Sequence, residues 1–171
     1  TLSRISGSTT HSYDVLISID FSNNQSAMED IFNDFNWSYG KKHIQLHNRN
    51  IGLIGNVYYS ADYFADKGYD YSVMLEDDLL VSTNLLEYVD SIISFDLLDN
   101  HKIAGYSLYS PRFNETSYKE FWPVSMCDNY FMQLPSSWGQ VWSYNQWKRY
   151  REWTRCTSLF VDKKDSDSFQ I

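Results

Sequence analysis

The residues best suited to chemistry are three consecutive carboxylates, Glu76, Asp77 and Asp78. They follow residues 71–75, a short strand pattern whose apolar end predicts burial on both faces. Three adjacent negative charges at the rim of a core repel one another, so a cation or hydrogen-bond donors must compensate them. A hard divalent ion with oxygen ligands, Mn²⁺ or Mg²⁺, would do this while it holds a diphosphate. The alternative is a solvated acidic turn before a helix, but the preceding strand favours the metal site.

Other polar residues follow the remaining apolar segments of the first half. Asp20 ends the apolar residues 13–19, and it is predicted either to bind the base or ribose of a nucleotide or to initiate a turn. Asn48, Arg49 and Asn56 belong to a loop before the next helix, where side chains and free helix N–H groups could bind a phosphate or ribose. An ordinary Asn- and Gly-rich loop with helix capping is the alternative, and the motif taken alone favours it.

Ser137, Trp138 and Gly139 lie in a segment, residues 135–142, that combines small residues with indoles. An indole can pack against the apolar C–H face of a pyranose, so the segment is a candidate sugar or acceptor subsite. Three further tryptophans at near-helical spacing are expected to serve packing rather than function: Trp142, Trp147 and Trp153. The four histidines show no metal-ligand spacing, and we expect them to be structural or exposed.

Strands alternate with helices along the chain, and this order would bring the candidate residues together. The strands are predicted at residues 13–19, 43–46, 71–75, 102–108 and 129–134. Capping-box patterns at residues 26–29 and 84–87 open two helices, and others are predicted at 53–68 and 141–153. The order implies an α/β fold with a mostly parallel sheet covered on both faces. Ligands bind beyond the carboxyl ends of such strands, where Asp20, the 48–52 loop and the triplet fall.

The predicted helices each carry an apolar stripe at helical spacing. The stripe of the first helix is Met28, Ile31, Phe32 and Phe35, that of the second is Leu53, Val57, Ala61, Phe64 and Ala65, and that of the third is Leu85, Val89, Ile92 and Ile93. These faces are expected to cover the sheet.

Composition restricts the class of protein. The 171 residues fit one domain, 1–171, and 43% of them are hydrophobic, so the chain can bury a core. A net charge of −8 argues against a nucleic-acid partner. Without a run of 18 apolar residues, no membrane contact is expected within this segment. Cys127 and Cys156 could pair or remain thiols.

The order of these elements, from about Tyr13 to Trp153, resembles the GT-A class of glycosyltransferases. Within that class the chain is most similar to the N-acetylglucosaminyltransferase I and protein O-mannose β-1,2-N-acetylglucosaminyltransferase group. In that family a strand ending in Asp precedes a helix, and a later strand runs into Glu-Asp-Asp and an apolar helix, here residues 75–81. A Trp/Gly-rich segment then builds the acceptor side, and residues 134–139 occupy that place.

The resemblance implies a GT-A-like, Rossmann-type three-layer sandwich and a metal-dependent glycosyltransferase of the hexosyl- or N-acetylhexosaminyltransferase type. Asp78 would ligate Mn²⁺ (or Mg²⁺) directly, Glu76 and Asp77 would contact the donor sugar and ribose, and Asp20 would contact the uridine. The donor would be a UDP-sugar and the acceptor a glycan or other hydroxyl, with inversion at the anomeric carbon. The resemblance places such a protein in the Golgi lumen or another secretory compartment of a eukaryote, or in the cytoplasm of a bacterium.

The chain departs from this family pattern in two places. The family's first strand, with a uridine-contacting Arg, would lie before Thr1, and the family's acidic catalytic base lacks an evident counterpart. Asp162, Asp165 and Asp167 lie in a charged, Ser-rich stretch that is typical of a surface loop. We therefore expect a fragment that lacks parts at both ends, and we assign no base. Two other functions stay open: a non-catalytic carbohydrate-binding or pseudoenzyme domain, and a sugar nucleotidyltransferase.

Overall fold

The computed structural model describes residues 2–95, 102–114, 117–120, 129–133 and 136–157. After a short 3-10 turn, Leu2–Arg4, the first half alternates strand and helix. Its elements are β1 (Val15–Ile19), α1 (Gln25–Asp34), β2 (Lys42–Leu46), α2 (Gly52–Asp66), β3 (Tyr71–Met74) and α3 (Leu85–Ser94). The second half contains β4 (Tyr106–Ser107), β5 (Phe113–Asn114), β6 (Lys119–Glu120), β7 (Gln140–Ser143) and α4 (Tyr144–Thr157).

The described strands form three small sheets. β1 and β2 are parallel, with Val15 opposite Lys42 and Ile19 opposite Leu46. β7 lies between β3 and β4 and is antiparallel to both, and β5 and β6 form an antiparallel hairpin. The α/β class is therefore confirmed. The mostly parallel sheet is not, because the strand pairs in the described ranges are mostly antiparallel.

The difference arises in the second half of the chain, where the predicted helix 141–153 is wrong at its start. Residues 140–143 form the central strand β7, and Val141 is fully buried there between Val73 of β3 and Tyr106 of β4. When these partner strands are not known, a short apolar run that leads directly into a helix is predicted as part of that helix. The predicted strand 102–108 is also reduced to the two residues of β4. Residues 129–133 are not a strand, and residue 134 lies outside the described ranges.

Helix α3 lies at the centre of the core. Leu85, Val89 and Ile92 of its predicted stripe are buried, and Val89 is completely inaccessible. The stripe of α1 is covered only in part, because the two-stranded sheet beneath it is narrow. Phe32 is buried there, whereas Ile31 is 70% exposed.

Two of the three tryptophans expected to serve packing are at least partly buried. Trp147 is 4% exposed, and its ring lies 5.7 Å from that of the partly buried Trp142. Trp153 is 62% exposed, and its ring lies 6.1 Å from that of Tyr150, one turn earlier in α4. Cys156 is exposed, while Cys127 lies outside the described residues. The described helices are all too short or too polar to cross a membrane.

Helix α2 fixes the relative direction of the two larger sheets, because it packs on both β1 and β3. Near its carboxyl end the Tyr69 hydroxyl donates a hydrogen bond to Asp14, which precedes β1, and β3 begins two residues after Tyr69. β1 and β3 therefore start at the same end of α2 and run in the same direction. β4 is parallel to β3, because both are antiparallel to β7. The carboxyl ends of β1, β2, β3 and β4 consequently lie on one side of the molecule.

Candidate functional site

The acidic triplet forms a turn at the carboxyl end of β3. Its first carboxylate belongs to a partly buried residue, and the other two residues are exposed. The turn is closed by the main-chain N–H of Leu79, which donates to the Glu76 carbonyl at 3.4 Å. Both flanks are held by the core, since Leu75 packs against it and Val81 is buried. Two acidic residues, Asp77 and Asp78, are thus exposed at the rim of the core.

The loop before β7 packs against Leu75, the residue that immediately precedes this turn. Met74, the last residue of β3, lies opposite Gln140, and the Leu108 N–H donates to the Gly139 carbonyl at 2.9 Å. Gly139 has a φ of +83°, and a Cβ at this position would lie 3.1 Å from Leu108 Cβ and 3.5 Å from Leu75 Cδ2. Glycine is therefore favoured both by the left-handed backbone and by the close approach. The 137–139 segment consequently lies beside the triplet.

Tyr109 is a candidate residue that the sequence patterns did not single out. Its ring centroid lies 4.7 Å from that of Trp138, and the two ring planes are inclined at 59°. Both side chains are exposed, Tyr109 at 42% and Trp138 at 43%. The signal that could have identified Tyr109 is its position. It is the first residue after the predicted strand 102–108, whose carboxyl end falls at the same edge as that of β3.

Asp20 joins the end of β1 to the start of α2. Its carboxylate accepts main-chain N–H hydrogen bonds from Ile51 at 2.9 Å, Gly52 at 2.9 Å and Phe21 at 2.7 Å. These bonds, that from Ile51 foremost, hold the pKa of Asp20 below its ordinary value against the opposing effect of desolvation. The Asp20 carboxylate therefore holds the start of α2, and the turn-initiating role stays a prediction. A contact between Asp20 and a nucleotide stays a prediction.

The predicted loop residues divide into exposed and interior groups. Asn48 and Arg49 are exposed just before α2. Asn56 instead hydrogen bonds across to β1: the Ser18 hydroxyl donates to its side-chain oxygen at 2.5 Å, and its amide nitrogen donates to the Ser18 carbonyl at 3.2 Å. Ser18 Oγ also lies 3.0 Å from His47 Nε2. Asn56 therefore ties α2 to β1, and a ligand could reach Asn48 and Arg49 more easily.

The triplet has the donor chemistry of a Mg²⁺ or Mn²⁺ site but not a complete set of ligands. The described residues contain no group of three His, Cys, Asp or Glu side chains arranged to hold a metal. Such ions commonly bind one or two carboxylates and take their remaining ligands from water and substrate phosphates. The exposed residues Asp77 and Asp78 are compatible with this second mode. The acidic residues Asp162, Asp165 and Asp167 lie outside the described ranges.

Comparison of the chain with models of known protein families found no match, and comparisons with curated proteins and with solved structures found none either.

Proposed function

We propose that this chain is the donor-binding part of a metal-dependent glycosyltransferase of the GT-A type. One observation carries the proposal: the acidic turn that ends β3 presents Asp77 and Asp78 to solvent beside the Trp138 loop. Carboxylates suited to a cation thus stand next to an aromatic segment suited to a sugar. The exposed Asn48 and Arg49 lie at the same side of the molecule, where they would contact the nucleotide.

Each group has a distinct role in this proposal. Asp78 would hold Mn²⁺ or Mg²⁺, and Glu76 and Asp77 would accept hydrogen bonds from the donor sugar and ribose. When bound, the cation supplies a Lewis acid for the charge that grows on the UDP leaving group. Ser137, Trp138 and Gly139 would line the acceptor side, so that donor and acceptor are held in reactive orientation. The acceptor is a glycan or another hydroxyl, and its proton goes to a base that we do not assign.

The proposal is tested by calorimetric titration of UDP into the full chain with and without Mn²⁺. We expect Mn²⁺ to strengthen UDP binding, because diphosphate and carboxylates share its coordination sphere. In the presence of Mn²⁺, Asp78→Asn should bind UDP at least about 10-fold more weakly than the natural chain does. Removing a group that only supports a metal ligand already costs about that much affinity. Mn²⁺ alone should bind weakly, since the described residues lack a complete ligand set.

Asp66→Asn is the matched control, because Asp66 is exposed at the opposite end of α2. It should bind UDP with Mn²⁺ as the natural chain does. If Asp78→Asn retains the full Mn²⁺-dependent gain, the proposed donor site is wrong.

A carbohydrate-binding domain without catalysis is the second candidate, and the exposed Tyr109–Trp138 pair favours it equally. The two functions differ in their response to nucleotide. A transferase should be stabilised against heat by a UDP-sugar with Mn²⁺, whereas a binding domain should respond only to free glycans. A sugar nucleotidyltransferase would instead be stabilised by a nucleoside triphosphate with the cation.

A further inference from the structure

Tyr109 and Trp138 form an exposed pair of rings beside the acidic turn. Their centroids are 4.7 Å apart, and the carboxyl end of β4 places one ring while the loop before β7 places the other. Aromatic surface next to a few polar groups is typical of a small-molecule site. The pair therefore has the composition of a binding surface.

Hydrogen bonds fix the two segments that carry these rings. The Leu108 N–H donates to the Gly139 carbonyl, and the Gly139 N–H donates to the Ser137 carbonyl, both at 2.9 Å. The Ser107 hydroxyl donates to the Tyr109 carbonyl at 2.7 Å. Segments that are ordered before a ligand arrives lose less conformational entropy when it binds.

We propose that the two rings form a carbohydrate subsite that packs against the C–H groups of a neutral pyranose. This rests on the proposed function, which requires a sugar within reach of the triplet. A planar base can stack on only one of two rings whose planes are inclined at 59°. A chair-shaped pyranose carries C–H groups on its faces and around its rim, so it can contact both rings. The neighbouring carboxylates can accept hydrogen bonds from its hydroxyls, and they repel anionic ligands.

Tyr109 is then a specificity-determining residue of the acceptor side. Trp138 by itself would bind any flat apolar surface. The inclined Tyr109 ring favours a non-planar ligand that can contact both rings at once. Removing the Tyr109 ring should therefore reduce the preference for a sugar over a planar group.

The test follows the tryptophan indole N–H signals of the full chain by NMR, with the Trp138 signal assigned from its absence in Trp138→Phe. The probe is methyl β-D-glucopyranoside, and UDP without metal is the planar, anionic comparison. We expect the glycoside to shift the Trp138 signal and Tyr109→Ala to weaken its binding about 2- to 10-fold, the contribution of one aromatic contact. Tyr109→Phe retains the ring and should bind as the natural chain does.

Tyr144→Ala is the control for the loss of an exposed tyrosine, because Tyr144 is 43% exposed and lies at the opposite end of β7. Equal weakening by Tyr109→Ala and Tyr144→Ala would overturn the proposal. The proposal would also be overturned if the glycoside leaves the Trp138 signal unchanged, or if UDP without metal shifts that signal. If Tyr109→Ala does not fold, Tyr109→Leu keeps an apolar side chain without the aromatic face and should show the same loss.

The carbohydrate subsite and the donor site can fail separately. Mn²⁺-dependent UDP binding should depend on Asp78 and not on Tyr109. If the glycoside binds at Trp138 but Mn²⁺ does not raise the affinity for UDP, the subsite is supported and the proposed transferase is wrong. If Mn²⁺ raises the affinity for UDP but the glycoside does not bind at Trp138, the donor site is supported and the subsite is wrong.

Discussion

At the scale of single residues, Asp20 accepts three main-chain hydrogen bonds that link the end of β1 to the start of α2. Its carboxylate receives N–H bonds from Phe21, Ile51 and Gly52, and this holds the start of α2 against the end of β1. A carboxylate has about four lone-pair positions, so three N–H bonds leave room for one further donor. A nucleotide at this edge would therefore meet an acceptor whose position is already fixed.

We expect Asp20→Ala to loosen the start of α2. Without the carboxylate, the Ile51 amide loses its acceptor, whereas the Gly52 amide keeps its hydrogen bond to Asn50 Oδ1 at 2.9 Å. Hydrogen exchange should therefore become faster at both amides, most of all at Ile51, and the melting temperature should fall. Asp30→Ala, on an exposed position of α1, should leave both amides protected as before. Unchanged protection of Ile51 and Gly52 in Asp20→Ala would contradict the anchoring role.

At the scale of elements, the sequence predicts capping boxes at residues 26–29 and 84–87. Asn84 is the N-cap of α3 as predicted, whereas α1 begins after Asn24 and not after Ser26, and neither asparagine side chain makes a capping bond. A capping box that the sequence patterns did not single out forms at the start of α4. There the Gln146 N–H donates to Ser143 Oγ at 3.2 Å, and the Ser143 N–H donates to Gln146 Oε1 at 3.1 Å.

We expect Ser143→Ala to lower the free energy of unfolding by about 0.5–2 kcal/mol, the usual contribution of a side-chain cap. Ser26→Ala is the matched control, because Ser26 is exposed inside α1 and is not its N-cap. Its effect should stay within about 0.5 kcal/mol. Urea denaturation measures both values, and equal losses in the two variants would contradict the assignment of the cap to Ser143.

At the scale of the whole molecule, Asp90 fastens the amino-terminal segment to α3. Its carboxylate accepts hydrogen bonds from Thr9 Oγ1 at 2.8 Å, Thr10 N–H at 2.7 Å and Tyr13 OH at 2.6 Å, and it lies 2.9 Å from His11 Nδ1. Burial alone would raise the pKa of Asp90. The hydrogen bonds from Tyr13, Thr10, His11 and Thr9 outweigh it and lower that pKa far below the ordinary 3.8. The segment that leads into β1 therefore depends on an ionised Asp90.

This linkage predicts a loss of stability in acid. A carboxyl group whose pKa is lower in the folded state stabilises it fully above the unfolded pKa, and the contribution is lost as pH falls toward the folded value. The free energy of unfolding should therefore decline as pH falls below 3.8. Asp90→Asn should be less stable at neutral pH and should show a shallower decline.

Urea denaturation between neutral pH and about pH 2 measures this dependence. Glu87→Gln, on an exposed position of the same helix, should leave the slope below pH 3.8 nearly unchanged. A slope in Asp90→Asn as steep as that of the natural chain would show that Asp90 is not the responsible group.

The sequence by itself determined the first half of the fold and the place of the acidic triplet. β1, β2, β3, α2 and α3 lie close to their predicted ranges, because each is specified by local periodicity and by a residue that ends it, such as Gly68 after α2. The triplet begins two residues after the end of β3, so its position at a carboxyl edge required only that strand. The neighbouring Trp138 loop was identified from its residue types.

Only the tertiary structure decided how the second half meets that edge. Tyr71 pairs with Ser143, and Tyr106 with Val141, so the central strand β7 is specified by partners distant in sequence and not by its own four residues. Local periodicity contains no information on such pairs, and residues 141–143 taken with the following segment therefore predict a helix. The same pairing brings Tyr109 against Trp138. Residue types and spacing therefore located the acidic turn, whereas the ring pair beside it depends on contacts that form only when the sheet assembles.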